Sequence, residues 1–331
     1  MTDQIRAAGG LTPVRLPPRE IAPPQTISPV AAAALSLGAE TPPAVRPAPG
    51  DVDGWRRSVA ASEAMWEPLA AQMLSACASR TETRTAAGVT VYVSTPEGLD
   101  EAASRRVYLY LHGGALVFGG GRFAMAFGAA TADRLGVTTV SVDYRMPPDH
   151  PFPAAPEDCL AVYRALLDTY DPAQVVIGGS SAGGNLAAAT TLMIRDRGLP
   201  LPAAVILLTP EVDLTEAGDT FVTNAWLDVV LKTGLPECNA LYAAGHDLRD
   251  PYVSPLFGDF GRGFPPTLIQ SGTRDLFLSN SVLMHRKLRS AGVDAELHVW
   301  EAMPHGGFGF GDVPENREID AELRRFIARW A

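Results

Sequence analysis

From about residue 85 onward, short β-type runs alternate with helical patterns, and this alternation constrains the fold more than any other feature of the chain. Several of the runs are apolar throughout, as expected for strands that are covered on both faces. Such an order predicts an α/β fold, in which a mostly parallel central sheet is flanked by helices. The predicted strands are Val89–Ser94, Arg106–Leu111, Val137–Asp143, Val175–Gly178, Ala204–Leu208, Thr267–Gln270 and Ala295–Trp300, and the predicted helices include Pro156–Thr169, Asn185–Arg197 and Ser279–Ala291.

Two regions depart from the alternation. The first fifty residues hold ten of the 28 prolines, which lack the N–H group that a helix interior or a central strand needs, so most of this segment is predicted to be an extended arm. Apolar residues recur at helical spacing over 55–77, with a kink expected at Pro68. The stretch 213–246 is apolar but has no strand pattern. We therefore expect 1–80 to form an arm and cap helices, and 81–331 to form the sheet domain with a cap insertion at about 213–246.

Charge and cysteine content exclude several classes of function. Lys and Arg number 27 against 37 Asp and Glu, and the resulting formal charge of −10 repels nucleic-acid phosphates and anionic lipid headgroups. The three cysteines lie far apart without a CxxC pair, which argues against a disulfide framework and a cysteine-built metal site. No run of 18 apolar residues occurs, so no membrane span is expected. The alanine-rich run at 30–38 adjoins no basic segment, and a cytoplasmic protein is predicted.

A reactive serine is predicted at the turn after the fourth predicted strand. Gly179-Ser180-Ser181-Ala182-Gly183 fits the pattern G-x-S-x-G, in which glycines flank a nucleophilic serine on a turn too sharp for side chains. The start of the following helix favours negative charge that develops beside Ser181. The alternative is a glycine-rich turn between a strand and a helix that carries no chemistry.

A second glycine turn follows the second predicted strand. His112-Gly113-Gly114-Ala115 leaves backbone N–H groups without a covering side chain, which is what an oxyanion hole requires. This short motif is unspecific alone. It becomes specific when a nucleophile turn follows about seventy residues later.

The general base is predicted to be His305, which follows the last predicted strand and therefore lies at its carboxyl end. Among the other histidines after Ser181, His285 falls inside a predicted helix and His298 inside a strand, so both are interpreted as structural. His246 falls in the insertion.

The acid partner is predicted to be Asp275, which also lies just past a strand and comes between the serine and the histidine. Asp294 precedes its strand and belongs to the wrong edge of the sheet, while Glu301 is a distant second candidate, only four residues from the histidine. Asp213 and Asp228 belong to the insertion and are expected to cap backbone or to face solvent.

These motifs together resemble the hormone-sensitive-lipase-like carboxylesterases of the α/β-hydrolase fold. The resemblance covers about residue 80 to the last residue, and it also includes Asp143-Tyr144-Arg145, the run His150 to Ala155, and Asp250-Pro251 with Ser254-Pro255-Leu256. It implies a Ser181–Asp275–His305 triad, oxyanion N–H groups from Gly113, Gly114 and Ala182, and a possible homodimer. The chain departs from the family in having Ser180 before the nucleophile, where Asp or Thr is common, and Ala115 in place of a third glycine.

The sequence therefore predicts a capped serine carboxylesterase that acts on short- to medium-chain acyl esters, small-molecule substrates, with no metal or organic cofactor. A lactone hydrolase or a dehydratase would use the same scaffold, and so would a non-catalytic protein that binds a small molecule, although such a binder has no need of His305. Asp143 and Arg145 are expected to form a structural ion pair beneath the site.

Overall fold

The computed structural model describes residues 14–309 and 312–331, and its centre is an eight-stranded sheet. The strands are β1 (Arg80–Ala86), β2 (Val89–Thr95), β3 (Val107–Leu111), β4 (Thr138–Val142), β5 (Val175–Ser180), β6 (Ala204–Leu208), β7 (Thr267–Gly272) and β8 (Ala295–Trp300). Their spatial order is β1-β2-β4-β3-β5-β6-β7-β8, with β2 antiparallel to both its neighbours and all other pairs parallel. The predicted mostly parallel sheet is confirmed.

Strand β1 is absent from the sequence predictions. Its residues are polar and mostly exposed, because it is an edge strand that pairs with β2 alone. The two strands are joined at Ala87 and Gly88, which both have positive φ, as a two-residue hairpin turn requires. The pair Ala87-Gly88 is not one of the common Asn-Gly or Asp-Gly signals.

Helices cover both faces of the sheet. The helices are α1 (Pro29–Glu40), α2 (Val52–Ala76), α3 (Glu101–Arg105), α4 (Arg122–Leu135), α5 (Ala154–Leu166), α6 (Ala182–Asp196), α7 (Thr220–Thr223), α8 (Pro236–Ala243), α9 (Leu278–Ser290) and α10 (Pro314–Trp330), with short 3₁₀ turns at Pro172–Gln174 and Pro255–Phe257. None of the described helices is long and apolar enough to cross a membrane. The three cysteines are free thiols.

The alternation of side chains along β3 shows how the two layers form. Leu109 packs in one core cluster with residues of α5, α6 and α9, while Tyr108 and Tyr110 pack in a second cluster with residues of α10. Successive side chains of a strand point to opposite faces, so a fully buried strand needs apolar residues at every position. Because helices cover both faces, the loops at the carboxyl ends of the parallel strands are the place where a site can form.

The segment before the sheet is not the predicted extended arm throughout. Proline at the first turn of a helix costs no hydrogen bond, and Pro29 begins α1 while the Ser28 side chain accepts from the N–H of Ala31. Ala31 and Leu35 of α1 are buried in a cluster with residues 302, 303, 308 and 313. Pro68 lies inside α2 and does not end that helix.

Candidate active site

Ser181 lies at the turn between β5 and α6, with φ 59° and ψ −121°. This conformation is rare for a residue with a side chain, and the surrounding packing maintains it. A side chain at Gly179 or Gly183 would collide with the backbone carbonyl oxygen of Leu111 on β3. The flanking glycines of the motif are therefore required by the close approach of the neighbouring strand.

The glycine turn after β3 contacts this serine. A side-chain carbon at Gly113 would lie 2.9 Å from the carbonyl oxygen of Ser180 and 3.5 Å from Cβ of Ser181. The turn is closed by the N–H of Phe118, which donates to the carbonyl oxygen of Gly114 at 2.8 Å. Within the described ranges, no acceptor in the protein pairs with the N–H group of Gly113 or Gly114. These two donors, with Ala182 at the start of α6, lie on the serine's side of the sheet edge.

His112 and Tyr144 brace this turn from below. Their rings stack with centroids 4.0 Å apart, and the Tyr144 hydroxyl donates to the carbonyl oxygen of His112 at 2.7 Å. Burial lowers the pKa of His112 to about 4. The imidazole is thus neutral at physiological pH and supports the turn by packing and hydrogen bonding.

His305 and Asp275 form a buried pair at the ends of β8 and β7. Nδ1 of His305 lies 3.0 Å from Oδ1 of Asp275, and the carboxylate is fully buried. The same carboxylate accepts the hydroxyl of Ser271 at 2.6 Å and the N–H of Phe277 at 3.0 Å. The ring of Phe277 meets the imidazole edge-on at a centroid distance of 4.8 Å. The pair is therefore shielded from water and fixed in orientation.

The segment after β6 joins the serine turn to the histidine loop. The N–H of Ser181 donates to the carbonyl oxygen of Leu208 at 2.8 Å, and the N–H of Gly306 donates to Oγ1 of Thr209 at 3.3 Å. Two adjacent residues thus contact both loops. The structure brings the predicted nucleophile, base and acid to one edge of the sheet.

The residues that sequence analysis set aside as base or acid make other contacts. His285 contacts the carbonyl oxygen of Ala295 through Nε2 at 3.2 Å, and His298 lies 3.5 Å from Glu296. His246 packs edge-on against a phenylalanine, while the exposed Glu301 interacts electrostatically with Arg274.

Asp228 is a component of the site that sequence analysis missed. Asp213 and Asp228 both cap backbone N–H groups, which is one of the two alternatives expected, and both are buried instead of facing solvent. Oxygen and nitrogen ligand atoms of Asp228, Asp275 and His305 all lie within 4.8 Å of one another. Burial raises the pKa of Asp228. No spacing or strand pattern could have found this residue, because its partners are distant in the chain.

The same three residues are, in the described part of the chain, the one group with donor spacing suited to a metal ion. Their facing atoms are already engaged: Nδ1 of the histidine and both oxygens of each carboxylate take part in hydrogen bonds within the protein.

The predicted ion pair between Asp143 and Arg145 is wrong. Asp143 accepts the Tyr92 hydroxyl at 2.8 Å and the N–H of Gly121 at 2.9 Å. Arg145 pairs instead with the buried Asp158 at 2.7 Å. Each side chain thus has its partner on another element, Asp143 on β2 and Arg145 on α5.

A cavity of about 260 Å³ lies between α2 and the loop that follows the glycine turn. Its apolar walls are Val59, Trp66, Phe118, Phe123 and Met146, and its other lining residues include Glu63, Glu67 and the glycines 119–121. Trp66 and Phe123 meet edge-on with centroids 5.8 Å apart. On the side of the glycine turn, its lining begins at Phe118, four residues beyond Gly114.

Known proteins share this architecture. A family model described as the α/β-hydrolase fold matches residues 108–309. An acetyl-hydrolase of Streptomyces hygroscopicus is 36% identical over 215 residues, which are 64% of this chain and 72% of that protein. An esterase of Acinetobacter venetianus is 30% identical over 230 residues, which are 68% of this chain and 76% of that protein. The crystal structure of esterase E25 has a TM-score of 0.89 at 34% identity and covers 96% of this chain and 99% of its own. An esterase from the bacterial hormone-sensitive lipase family has a TM-score of 0.75 at 30% identity over 92% and 98%.

The chain belongs to the α/β-hydrolase fold family. It is a hydrolase of the hormone-sensitive-lipase-like branch of that family, as the resemblance implied.

Proposed function

We propose that the protein is a serine carboxylesterase in which Ser181 is the nucleophile, His305 the general base and Asp275 its orienting acid. The observation that carries this proposal is the 3.0 Å contact between His305 and Asp275, at the same edge of the sheet as a serine on a strained turn between strand and helix. When the carboxylate accepts a hydrogen bond from Nδ1–H of the histidine, Nε2 is unprotonated and carries a lone pair. This is the tautomer that a general base needs.

The reaction follows from these groups. His305 takes the proton of the Ser181 hydroxyl as its oxygen attacks the ester carbonyl carbon, and the N–H groups of Gly113, Gly114 and Ala182 stabilise the oxyanion. The tetrahedral intermediate collapses as the alcohol leaves with the proton from His305. Water then attacks the acyl-enzyme with the same proton transfers and releases the carboxylic acid.

Residues 14–80, which are the described part of the predicted arm and cap, and residues 213–246 are proposed to form the roof of the substrate site. Trp55 of α2 is fully buried in one cluster with Val117 beside the glycine turn and with Leu276 and Phe277 beside the acid. The cavity of about 260 Å³ suits a short or medium acyl or alcohol group rather than a long chain. An acetyl group, on which the Streptomyces hygroscopicus acetyl-hydrolase acts by its name, is a short acyl group of this kind.

Lactone hydrolysis, a homodimer and a cytoplasmic location stay predictions from the sequence. A lactone would engage the same nucleophile and oxyanion donors, so a lactone panel beside the ester panel separates the two activities. Size-exclusion chromatography with light scattering measures the oligomeric state.

The proposed function is tested by labelling the folded protein with a serine-reactive fluorophosphonate. We expect stoichiometric modification at Ser181, hydrolysis of p-nitrophenyl acetate, and loss of both in Ser181→Ala. A folded protein that takes up no label and releases no nitrophenol would instead be a binding protein on this scaffold.

A further inference from the structure

Asp228 is a buried carboxylate in the insertion that accepts four backbone N–H groups. Oδ1 accepts the N–H groups of Val230 at 2.9 Å and Leu231 at 3.1 Å, within its own turn. Oδ2 accepts those of Leu276 at 2.8 Å and His305 at 3.1 Å. Its two oxygens thus face in different directions, one toward the insertion and one toward the candidate triad.

The second pair of contacts joins two loops of the site. Leu276 directly follows the acid Asp275, and His305 is the base, so one oxygen atom binds the backbone beside both members of the pair. These loops leave different strands, β7 and β8. The distance between Nδ1 and Oδ1 depends on how the two backbones are held relative to each other, and Asp228 Oδ2 is a direct link between them.

The turn that carries Asp228 is itself fixed to the body. The N–H of Asp228 donates to the carbonyl oxygen of Asn224 at 2.9 Å, and the Asn224 amide donates to the carbonyl oxygen of Asp275 at 2.8 Å. On its other side, Lys232 donates to the carbonyl oxygen of Ala39 at the end of α1 at 2.8 Å. The carboxylate is therefore held from both ends of its turn.

The chemistry of this position requires a carboxylate. Four N–H donors converge on two oxygens, and an asparagine amide would present one NH₂ group to a pair of donors. Burial of unpaired donors is costly, so the loops would separate to recover hydrogen bonds.

We propose that Asp228 is a positioning residue that holds the His305 loop and the Asp275 loop in the register that catalysis requires. This inference rests on the proposed esterase function. Asp228 acts through the backbone of the pair and does not itself contact the ester.

The test compares Asp228→Asn and Asp228→Ser with Asp213→Asn. Serine can still accept the N–H groups of its own turn but is too short to bridge the two loops, so it separates turn stability from positioning. Asp213 is a matched control: it is buried in the same insertion and accepts the N–H and hydroxyl of Thr215, at 2.9 and 2.6 Å, without contact to the pair. Thermal unfolding by circular dichroism sets an assay temperature at which every variant is folded.

We expect both Asp228 variants to lower kcat for p-nitrophenyl acetate by on the order of 10²-fold, because small misplacements of a base have such effects. KM should stay within about twofold, since ester binding is untouched, and the rate of fluorophosphonate labelling should fall in parallel with kcat. Asp213→Asn should keep wild-type kcat even where its melting temperature falls.

A folded Asp228 variant with wild-type kcat overturns the proposal, and so does an equal kcat loss in Asp213→Asn. Failure of both Asp228 variants to fold assigns the residue to stability alone and also overturns it. Failure of the proposed function has a different signature, because the wild-type protein would then be inactive and unlabelled.

Discussion

Nδ1 of His305 lies 3.0 Å from Oδ1 of Asp275, across 30 residues of chain and between loops of two neighbouring parallel strands. Each residue follows its strand closely, and the carboxyl ends of parallel strands meet at one edge of the sheet. The residues between them form helix α9, which crosses back along the sheet, and strand β8. The predictions below start from this pair.

Removal of the nucleophile or the base is expected to abolish esterase activity. Ser181→Ala and His305→Ala should each lower kcat by at least about 10⁴-fold, and the double variant should lose little more than either, because the residues act in one step. Steady-state rates with p-nitrophenyl acetate measure this, with circular dichroism as the control for folding. Losses that multiply in the double variant would show that the residues act independently.

Replacement of the acid by its amide is expected to be nearly as severe. Asp275→Asn can donate a hydrogen bond to Nδ1 and so favours the tautomer whose Nε2 carries the proton, which should cost on the order of 10³- to 10⁴-fold in kcat. Glu301→Gln is the control, since that side chain is exposed. High activity in Asp275→Asn together with loss in Glu301→Gln would reassign the acid.

Ala115, which departs from the family pattern, has a left-handed φ of 54° that glycine adopts without strain. Ala115→Gly should therefore raise the free energy of unfolding, by about 1 kcal/mol, as measured in urea. Ala61→Gly, at an exposed position inside α2, is the control of opposite sign and should lower that free energy by about 1 kcal/mol. A loss in Ala115→Gly as large as in Ala61→Gly would contradict the strain argument.

Glu211 follows β6, and burial raises its pKa from an ordinary value of 4.5 to about 8. In the described ranges neither carboxyl oxygen has a hydrogen-bond partner. The folded state thus binds the Glu211 proton more tightly than the unfolded chain does. The contribution of protonated Glu211 to the free energy of unfolding is therefore complete below pH 4.5 and is lost as the pH rises toward 8.

Glu211→Gln, which stays neutral, should therefore gain stability relative to wild type between pH 5 and 8. The gain is expected to approach about 1.4 kcal/mol per pH unit within that window. Urea unfolding of both proteins at three pH values measures the difference in their free energies of unfolding. The contributions of all other titrating groups cancel in this difference. Parallel stability curves would mean that Glu211 is ionised in the folded protein.

The cavity beside the glycine turn is expected to limit chain length. Trp66→Ala removes its largest wall residue and should raise kcat/KM for p-nitrophenyl decanoate relative to acetate by about tenfold. Met65→Ala is the matched control, because the Met65 side chain, next to Trp66 in sequence, is 65% exposed and lies outside the cavity. An unchanged ratio in Trp66→Ala would show that the acyl chain binds elsewhere.

The parts of the fold that sequence analysis predicted are those whose pattern is local. Strands such as Val175–Ser180 are apolar on both faces, and Ser181 sits in a motif whose glycines are dictated by the backbone of Leu111. Strand β1 was missed because an exposed edge strand needs no apolar residues. Helix α1 was missed because prolines dominate its surroundings, although Pro29 falls in the first turn, where a proline costs no hydrogen bond.

Asp228 could not be predicted for a different reason. Its hydrogen bonds reach Leu276 and His305, which are 48 and 77 residues away, and they exist only once the insertion has folded over the sheet edge. A lone aspartate without strand or motif carries no local sign of such partners. Contacts between distant loops are a property of the tertiary fold.

The junction of α1 with the far end of the chain has a consequence for biosynthesis. Ser28 donates from its hydroxyl and its N–H to the carboxylate of Glu315, 287 residues later, and Leu35 packs with Phe308. While the chain emerges from the ribosome, this early helix has no partner for its apolar face until the residues that surround His305 have been made. Residues 302–308 and Glu315 thus complete both the candidate base and the packing behind α1, so these two parts of the molecule form together during folding.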